Sequence, residues 1–99
     1  MIFATVAGTV VSTRRSDSIP GAKYLLLEQC THRGEPRGEP RGEFLVALDE
    51  LGAGPGEMVL VSQGSSARQT PASDKKPIDA VVAGLVDLVE ERGEIVYRK

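Results

Sequence analysis

Four groupings of side chains in this chain could in principle do chemistry. Ser66, within Gly64-Ser65-Ser66-Ala67-Arg68, has the flanking small residues of a nucleophile elbow. Acyl transfer there needs a final glycine in the elbow and a nearby base. Arg68 stands at the glycine position, and the one histidine, His32, sits in a loop far along the chain. Cys30 and His32 are the right residue types for zinc, but a structural site needs four protein ligands and a catalytic one usually three. A shared site assembled by identical subunits is the remaining route to a metal, and no cofactor is expected.

Gly52, Gly54 and Gly56 form a glycine-rich turn that invites comparison with a phosphate loop. The dinucleotide fingerprint requires Gly-x-Gly-x-x-Gly between a strand and a helix, whose N-terminus meets the pyrophosphate. Here the spacing differs, Pro55 removes a backbone donor, and Met58 to Val61 reads as a strand. The three glycines are therefore expected to be a structural turn between strands. Asp87, Glu90 and Glu91 supply neighbouring carboxylates, but with no apolar pocket implied around them they are expected to be solvated surface charge rather than acid–base pairs. No enzyme activity is predicted.

The elements that would position these residues read mainly as strands. Ile2 to Val11 alternates with period two, and Gly8 interrupts it where a bulge or barrel bend would sit. Tyr24 to Cys30, Phe44 to Leu48, Met58 to Val61 and Ile95 to Arg98 supply four further strands, spaced by turns. Ile78, Val81, Val82, Leu85 and Val89 recur at helical spacing, with Asp79, Ala83, Asp87 and Glu91 opposite them. Pro77 suits a first helical turn and Gly93 a left-handed cap, so the spacing predicts an amphipathic helix between them. Gly84 inside that helix would cost about 1 kcal/mol against alanine, which points to close approach of another backbone. The expected fold is a small five-stranded, OB-like β-barrel with one C-terminal amphipathic α-helix.

Arg33-Gly34-Glu35-Pro36, Arg37-Gly38-Glu39-Pro40 and Arg41-Gly42-Glu43-Phe44 are three near-identical tetrapeptides between the second and third strands. Too short to be structural repeats and rich in Gly and Pro, they predict a flexible, solvated insertion loop at about residues 31–43 of a single domain spanning 1–99.

Bulk composition narrows the partners. Net charge is -2, with 12 Lys and Arg scattered among 14 Asp and Glu, so the basic stripe that neutralises phosphates in nucleic-acid binding is missing. Membrane association is not expected either. No apolar run approaches the ~20 residues of a span, the start of the chain lacks a signal-peptide pattern, and the predicted helix has an acidic polar face. One cysteine excludes an internal disulfide and suits a reducing cytosol. Only four aromatics and no Trp leave the core to aliphatic side chains, which makes subunit association a plausible added source of stability.

The segments Ala47-Leu48-Asp49, Gly52-Ala53-Gly54-Pro55-Gly56-Glu57-Met58-Val59-Leu60-Val61, Gly64-Ser65-Ser66-Ala67-Arg68 and Pro77-Ile78-Asp79-Ala80, with Gly8 to Val11, together resemble the EutN/CcmL family of bacterial microcompartment vertex proteins. The resemblance runs from about Ile2 to Leu88. It implies an OB-related barrel, a homopentamer, a place in a shell in the bacterial cytoplasm, and hexameric and pseudohexameric shell proteins as neighbours. Five-fold symmetry comes from the resemblance alone. So does the choice of Gly64, Ser65, Ser66, Ala67 and Arg68 as a subunit contact near the ring axis, where the alternative is a local turn with Arg68 bonding its own chain. The triple tetrapeptide is longer than the family's usual hairpin. The competing function, an OB-like module for nucleic acid or oligosaccharide, would need stacked aromatics in a basic groove.

Overall fold

The computed structural model describes residues 1–12, 23–37, 43–64 and 79–99. Among them are seven strands: β1 (Ile2–Val10), β2 (Lys23–Gln29), β3 (Phe44–Asp49), β4 (Met58–Gln63), β5 (Ala80–Leu85), β6 (Leu88–Glu91) and β7 (Glu94–Arg98). The first five close into a barrel in the order β1-β2-β3-β5-β4, and β6 and β7 form a separate two-stranded hairpin. All barrel pairings are antiparallel except β3 with β5, which run parallel at Leu48 and Val81.

Period-two alternation builds the interior. Ala4 and Val6 of β1, Leu25 and Leu27 of β2, Ala47 of β3, Val59 and Val61 of β4, and Ala80 and Val82 of β5 form one buried cluster, with Ala53 from the glycine turn. A fully buried Leu or Val contributes about 1.5–3 kcal/mol through removal from water, so this cluster is the main source of barrel stability. Closure also leaves no strand edge of the barrel unpaired, which removes a route to aggregation. In β1 the register against β2 slips between Val6 and Gly8, leaving Ala7 as the extra residue of a bulge where the sequence placed a bend.

The predicted C-terminal helix is not what these residues form. Pro77 and Ile78 lie outside the described residues, but from Ala80 onward the chain is β5, a short connection, β6, a turn and β7. Two features of the sequence imitate helical spacing. Opposite β4 the register slips, so that Leu60 faces Gly84 and Val61 faces Val82 with Ala83 skipped. One bulged residue converts the strand spacing from Val82 to a spacing of three at Leu85, and the connection at Val86 and Asp87 then resets the phase before Val89. Val81 and Val82 are also both buried, on opposite sides of one strand, which mimics a wide helical stripe. β-branched residues beside a glycine suit the pleated conformation better than the helix.

Gly93 is not a helix cap either. Arg92 and Gly93 have φ of +53° and +85°, and Glu91 pairs with Glu94 across them. Positive φ at both central residues is the signature of a type I′ hairpin turn, whose twist matches the flanking strands. Among the described residues Gly84 meets only Leu60 Cδ1, at 3.7 Å from where a Cβ would stand, an ordinary contact and not a close backbone approach. The fifth barrel strand is therefore Ala80–Leu85, and Ile95–Arg98, expected in the barrel, lies outside it.

Candidate functional site

The chain leaves the barrel after β4 at Gly64 and re-enters it at Asp79. Gly64 has φ of +66°, a conformation that favours glycine, and its N–H donates to the Asp79 carbonyl at 2.7 Å. Gln63 pairs with Ala80 directly below. Both ends of the intervening segment are thus pinned at one end of the barrel. Ser65, Ser66, Ala67 and Arg68, the other residues expected at a subunit contact, lie outside the described residues. Ser66 as a nucleophile falls there too.

The glycine turn is built around a carboxylate. Asp49 is 1% exposed, and its two oxygens accept from the backbone: Oδ1 from Leu51 N at 2.8 Å and Oδ2 from Ala53 N at 2.9 Å. This arrangement satisfies buried donors that the sharp turn would otherwise leave unpaired. Gly52 and Gly56 have φ of +80° and +79°, values that a side chain would strain. Gly54 differs: a Cβ there would stand 3.1 Å from Glu57 Oε1, so its bareness makes room for the carboxylate. Gly56 N and Val6 O bond at 2.9 Å, as do Val6 N and Glu57 O, stitching the turn to β1. The N–H groups of Leu51, Ala53, Gly54 and Gly56, which a phosphate loop would present to an anion, are instead spent on Asp49, Glu57 and β1.

Glu57 links this turn to the chain's last described residue. Its Oε1 accepts from Gly54 N at 2.8 Å and its Oε2 lies 3.0 Å from Lys99 Nζ. The Gly54 hydrogen bond first, and Lys99 second, hold the Glu57 carboxyl below the usual carboxylate range, and Glu57 in turn raises the Lys99 ammonium.

Cys30 and His32 both line a cavity with Met1, Phe3 and Arg37, but they sit in different surroundings. Cys30 is buried beside Met58 and Val86, with its thiol pushed up by burial and then by the nearby Glu28 charge, so it is poorly disposed to bind metal or attack. His32 Nε2 lies 2.6 Å from Glu91 Oε1, and Arg33 reaches the same oxygen at 3.2 Å. The His32 hydrogen bond is the leading reason the Glu91 carboxyl sits below its ordinary range, with smaller help from Arg33. No group of three or more potential ligands exists among the described residues. Glu90 and Glu91 alternate across β6 and so lie on opposite faces of the hairpin, and the backbone carbonyl of Asp87 accepts from Lys99 N at 2.9 Å.

The start of the repeat loop is tied down. Cys30 bridges Pro36, Arg37 N donates to Gln29 O at 3.0 Å, and Glu43 N donates to Arg37 O at 2.8 Å. Gly34, with φ of +87°, lies so close to Met58 and Tyr97 that a Cβ would meet both at 3.4 Å. Residues 38–42 lie outside the described part. The sequence reading missed the Asp49, Glu57 and Glu91 anchors. Asp49 had a local signal, a carboxylate two residues ahead of a turn N–H. Glu91 had none, since its partners lie some sixty positions away.

With this geometry in view, similarity to known proteins is consistent along the chain. It is 42% identical over 99 residues to the carboxysome shell vertex protein CcmL of Gloeobacter violaceus, covering 100% of this chain and 95% of that protein. It is 40% identical to the bacterial microcompartment shell vertex protein EutN of Escherichia coli, covering all of both. The solved Gloeobacter violaceus CcmL structure superposes with a TM-score of 0.88 at 43% identity, over 100% of this chain and 98% of that one. GrpN, a pentameric microcompartment shell protein from Rhodospirillum rubrum, gives a TM-score of 0.78 at 44% identity over 92% of this chain and 99% of that one. Residues 1–87 match the family model described as ethanolamine utilisation protein EutN/carboxysome, and this chain belongs to the EutN/CcmL family.

Proposed function

We propose that this chain is a structural, non-enzymatic vertex subunit of a bacterial microcompartment shell, assembling as a homopentamer in the bacterial cytoplasm. The observation that carries the reading is near-full-length similarity, at about 40% identity, to proteins named as shell vertex proteins, one of them solved as a pentameric shell protein. The role is geometric. A flat lattice of six-fold tiles cannot close, so five-fold units occupy its corners and hexameric and pseudohexameric shell proteins are their neighbours. Head-to-tail contacts that close into a ring supply such a unit without chemistry. Residues 1–99 serve as one domain, and the barrel order β1-β2-β3-β5-β4 supports the OB-like description. The scattered charges and the lack of a basic stripe in the sequence argue against a nucleic-acid module and membrane attachment.

Native mass spectrometry tests the reading directly. A species of five chains is expected, and a monodisperse species of one or two chains at micromolar concentration overturns it.

Within the ring, Gly64, Ser65, Ser66, Ala67 and Arg68 form a contact near the axis, supported by the pinning of Gly64 to Asp79 at one barrel end. Arg68→Ala then removes a charge-assisted hydrogen bond and leaves partners unpaired, at about 2–5 kcal/mol per buried contact. Repeated around the ring, that loss shifts the oligomer to single chains that remain folded by circular dichroism. Arg68→Lys keeps charge without the planar fork and recovers assembly in part. Unchanged assembly of Arg68→Ala would sink the contact while leaving the vertex role standing.

A further inference from the structure

The triple tetrapeptide is a motif that the shell role leaves without a use, and its first two arginines are placed differently. Arg33 is spent on Glu91, 3.2 Å away. Arg37, four residues on, makes no ion pair among the described residues. It lines a cavity of about 370 Å³ together with Cys30, Thr31 and His32 from its own segment and Ile2 and Phe3 from β1. That volume falls at the lower end of small-molecule sites, which run from about 300 to 1,000 Å³.

The segment that carries Arg37 is held in place by its backbone. Arg37 N donates to Gln29 O at 3.0 Å, its carbonyl accepts from Glu43 N at 2.8 Å, and Pro36 bridges Cys30. Cys30 N donates to Phe3 O at 3.0 Å, which fastens the same segment to β1. A backbone pinned in advance lowers the ordering cost of binding. Thr31 Oγ1 already accepts from Arg33 N at 3.2 Å and from Glu35 N at 3.3 Å, so its acceptor side is used and its O–H is left to donate. Burial, and then the Glu28 charge, push the Cys30 thiol up, so this side chain is a neutral, apolar part of the wall. The negative charge of Glu91 is taken up by His32 and Arg33, and among the described residues no carboxylate lines the cavity. A second cavity, of about 540 Å³ beside the hairpin, has the opposite character: Asp87 and Glu90 line it, with no cation among the described residues.

The geometry points to the Arg37 cavity as a binding site for a small monocarboxylate with a short aliphatic tail. The planar Arg37 fork takes the carboxylate, the Thr31 hydroxyl donates to it, and Ile2, Phe3 and Cys30 receive the tail. One unpaired guanidinium matches one negative charge. A phosphate dianion would bring a second charge, without a partner, against an apolar wall. Every group of the site comes from one chain, so the assignment does not rest on the vertex role.

Butyrate is the probe, titrated at constant ionic strength into the full chain in its native assembly and followed by amide NMR. Saturable shifts are expected at Phe3, Thr31, His32 and Arg37, with a dissociation constant on the order of 1 mM, the scale open to so small a ligand. Butyramide has the same shape without the charge and is expected to bind at least about tenfold more weakly. Acetate, which lacks the tail, is expected to bind more weakly than butyrate, and inorganic phosphate to give no saturation at these amides. Arg37→Ala is expected to weaken butyrate at least about tenfold, with Arg37→Lys recovering part of the loss. Arg37 is exposed and its fixed groups are backbone, so both variants keep the fold, which unchanged barrel amides check. Should Arg37→Ala disturb its segment, butyrate against butyramide on the wild-type chain carries the test. Shifts that stay linear with butyrate, equal binding of butyramide, or unchanged affinity in a folded Arg37→Ala variant overturn the site. Phosphate binding as tightly as butyrate overturns the carboxylate class.

Discussion

The closed barrel and the C-terminal hairpin are made of the same kind of strand but are held by different physics. The barrel closes on itself, so every strand has two neighbours and one apolar cluster runs through its interior. The hairpin has two strands, one partner each, and docks through the small cluster of Cys30, Met58, Val86, Phe3, Leu60, Val89 and Tyr97. An isolated two-stranded hairpin is marginal in water, so this one depends on its docking. Two ion-paired anchors, Glu91 with His32 and Arg33, and Glu57 with Lys99, fasten it at its edges. Burial sets whether the barrel exists, and partly exposed polar contacts set where the hairpin sits.

The largest effect tests the barrel side. Leu27 is fully buried in the central cluster, and Leu27→Ala should cost about 2–5 kcal/mol by lost transfer energy and cavity formation. Urea unfolding is expected to show one cooperative transition at lower midpoint with barrel and hairpin lost together. A variant as stable as wild type contradicts a single barrel core.

Asp49→Ala comes next. Two backbone donors lose their acceptor in a buried turn, at about 1–3 kcal/mol for each group left unpaired. Asp49→Asn keeps one carbonyl oxygen and should recover part of the loss in thermal melts. Equal stability of the Asn and Ala variants would show that the side chain fills space and does not serve the turn.

Tyr97→Ala separates the two regions. The ring is half-buried between the barrel and Gly34, and removing it should weaken docking by about 1–2 kcal/mol, below the value for a fully buried side chain. Amide exchange is expected to accelerate in residues 88–98 and to stay slow in β1 and β4. Uniform acceleration across the molecule would mean that hairpin and barrel unfold as one unit.

The smallest effect is on pH. The folded carboxyls of Glu91 and Glu57 lie below their ordinary range, so each contributes stability above the unfolded value of about 4.3 and loses it as pH falls through the lowered folded value. Hairpin amides, corrected for intrinsic exchange, should therefore lose protection as pH falls from about 5 toward 3. With Glu91→Gln and Glu57→Gln together that acid-dependent loss should shrink. The same slope in wild type and variant would place the titration elsewhere.

Much of the barrel was legible in the sequence because strand alternation is a local signal. Ile2 to Val11 carries it, with the bulge before Gly8 announced as a break in period, and the short apolar runs Phe44 to Leu48 and Met58 to Val61, set off by turns, became β3 and β4 with one or two residues added. The glycine turn was legible as a turn, since Gly52 and Gly56 occupy positive φ that other residues avoid. Family membership was legible too, in the order of short segments from Ala47 to Ala80.

Tertiary structure decided the rest, and the reason is the same in each case. Ala80–Leu85 is a strand because β4 and β3 offer it backbone partners on both sides; the bulge at Ala83 disguised its period. Ile95–Arg98 left the barrel because Arg92 and Gly93 turn it back onto β6 before it can reach another strand. Glu91 became an anchor because folding carries the His32 loop to it. Local pattern sets which residues can lie flat, turn or stay dry; partners distant in the chain decide which of those options is taken, because a backbone hydrogen bond or an ion pair forms only with what the fold brings within reach.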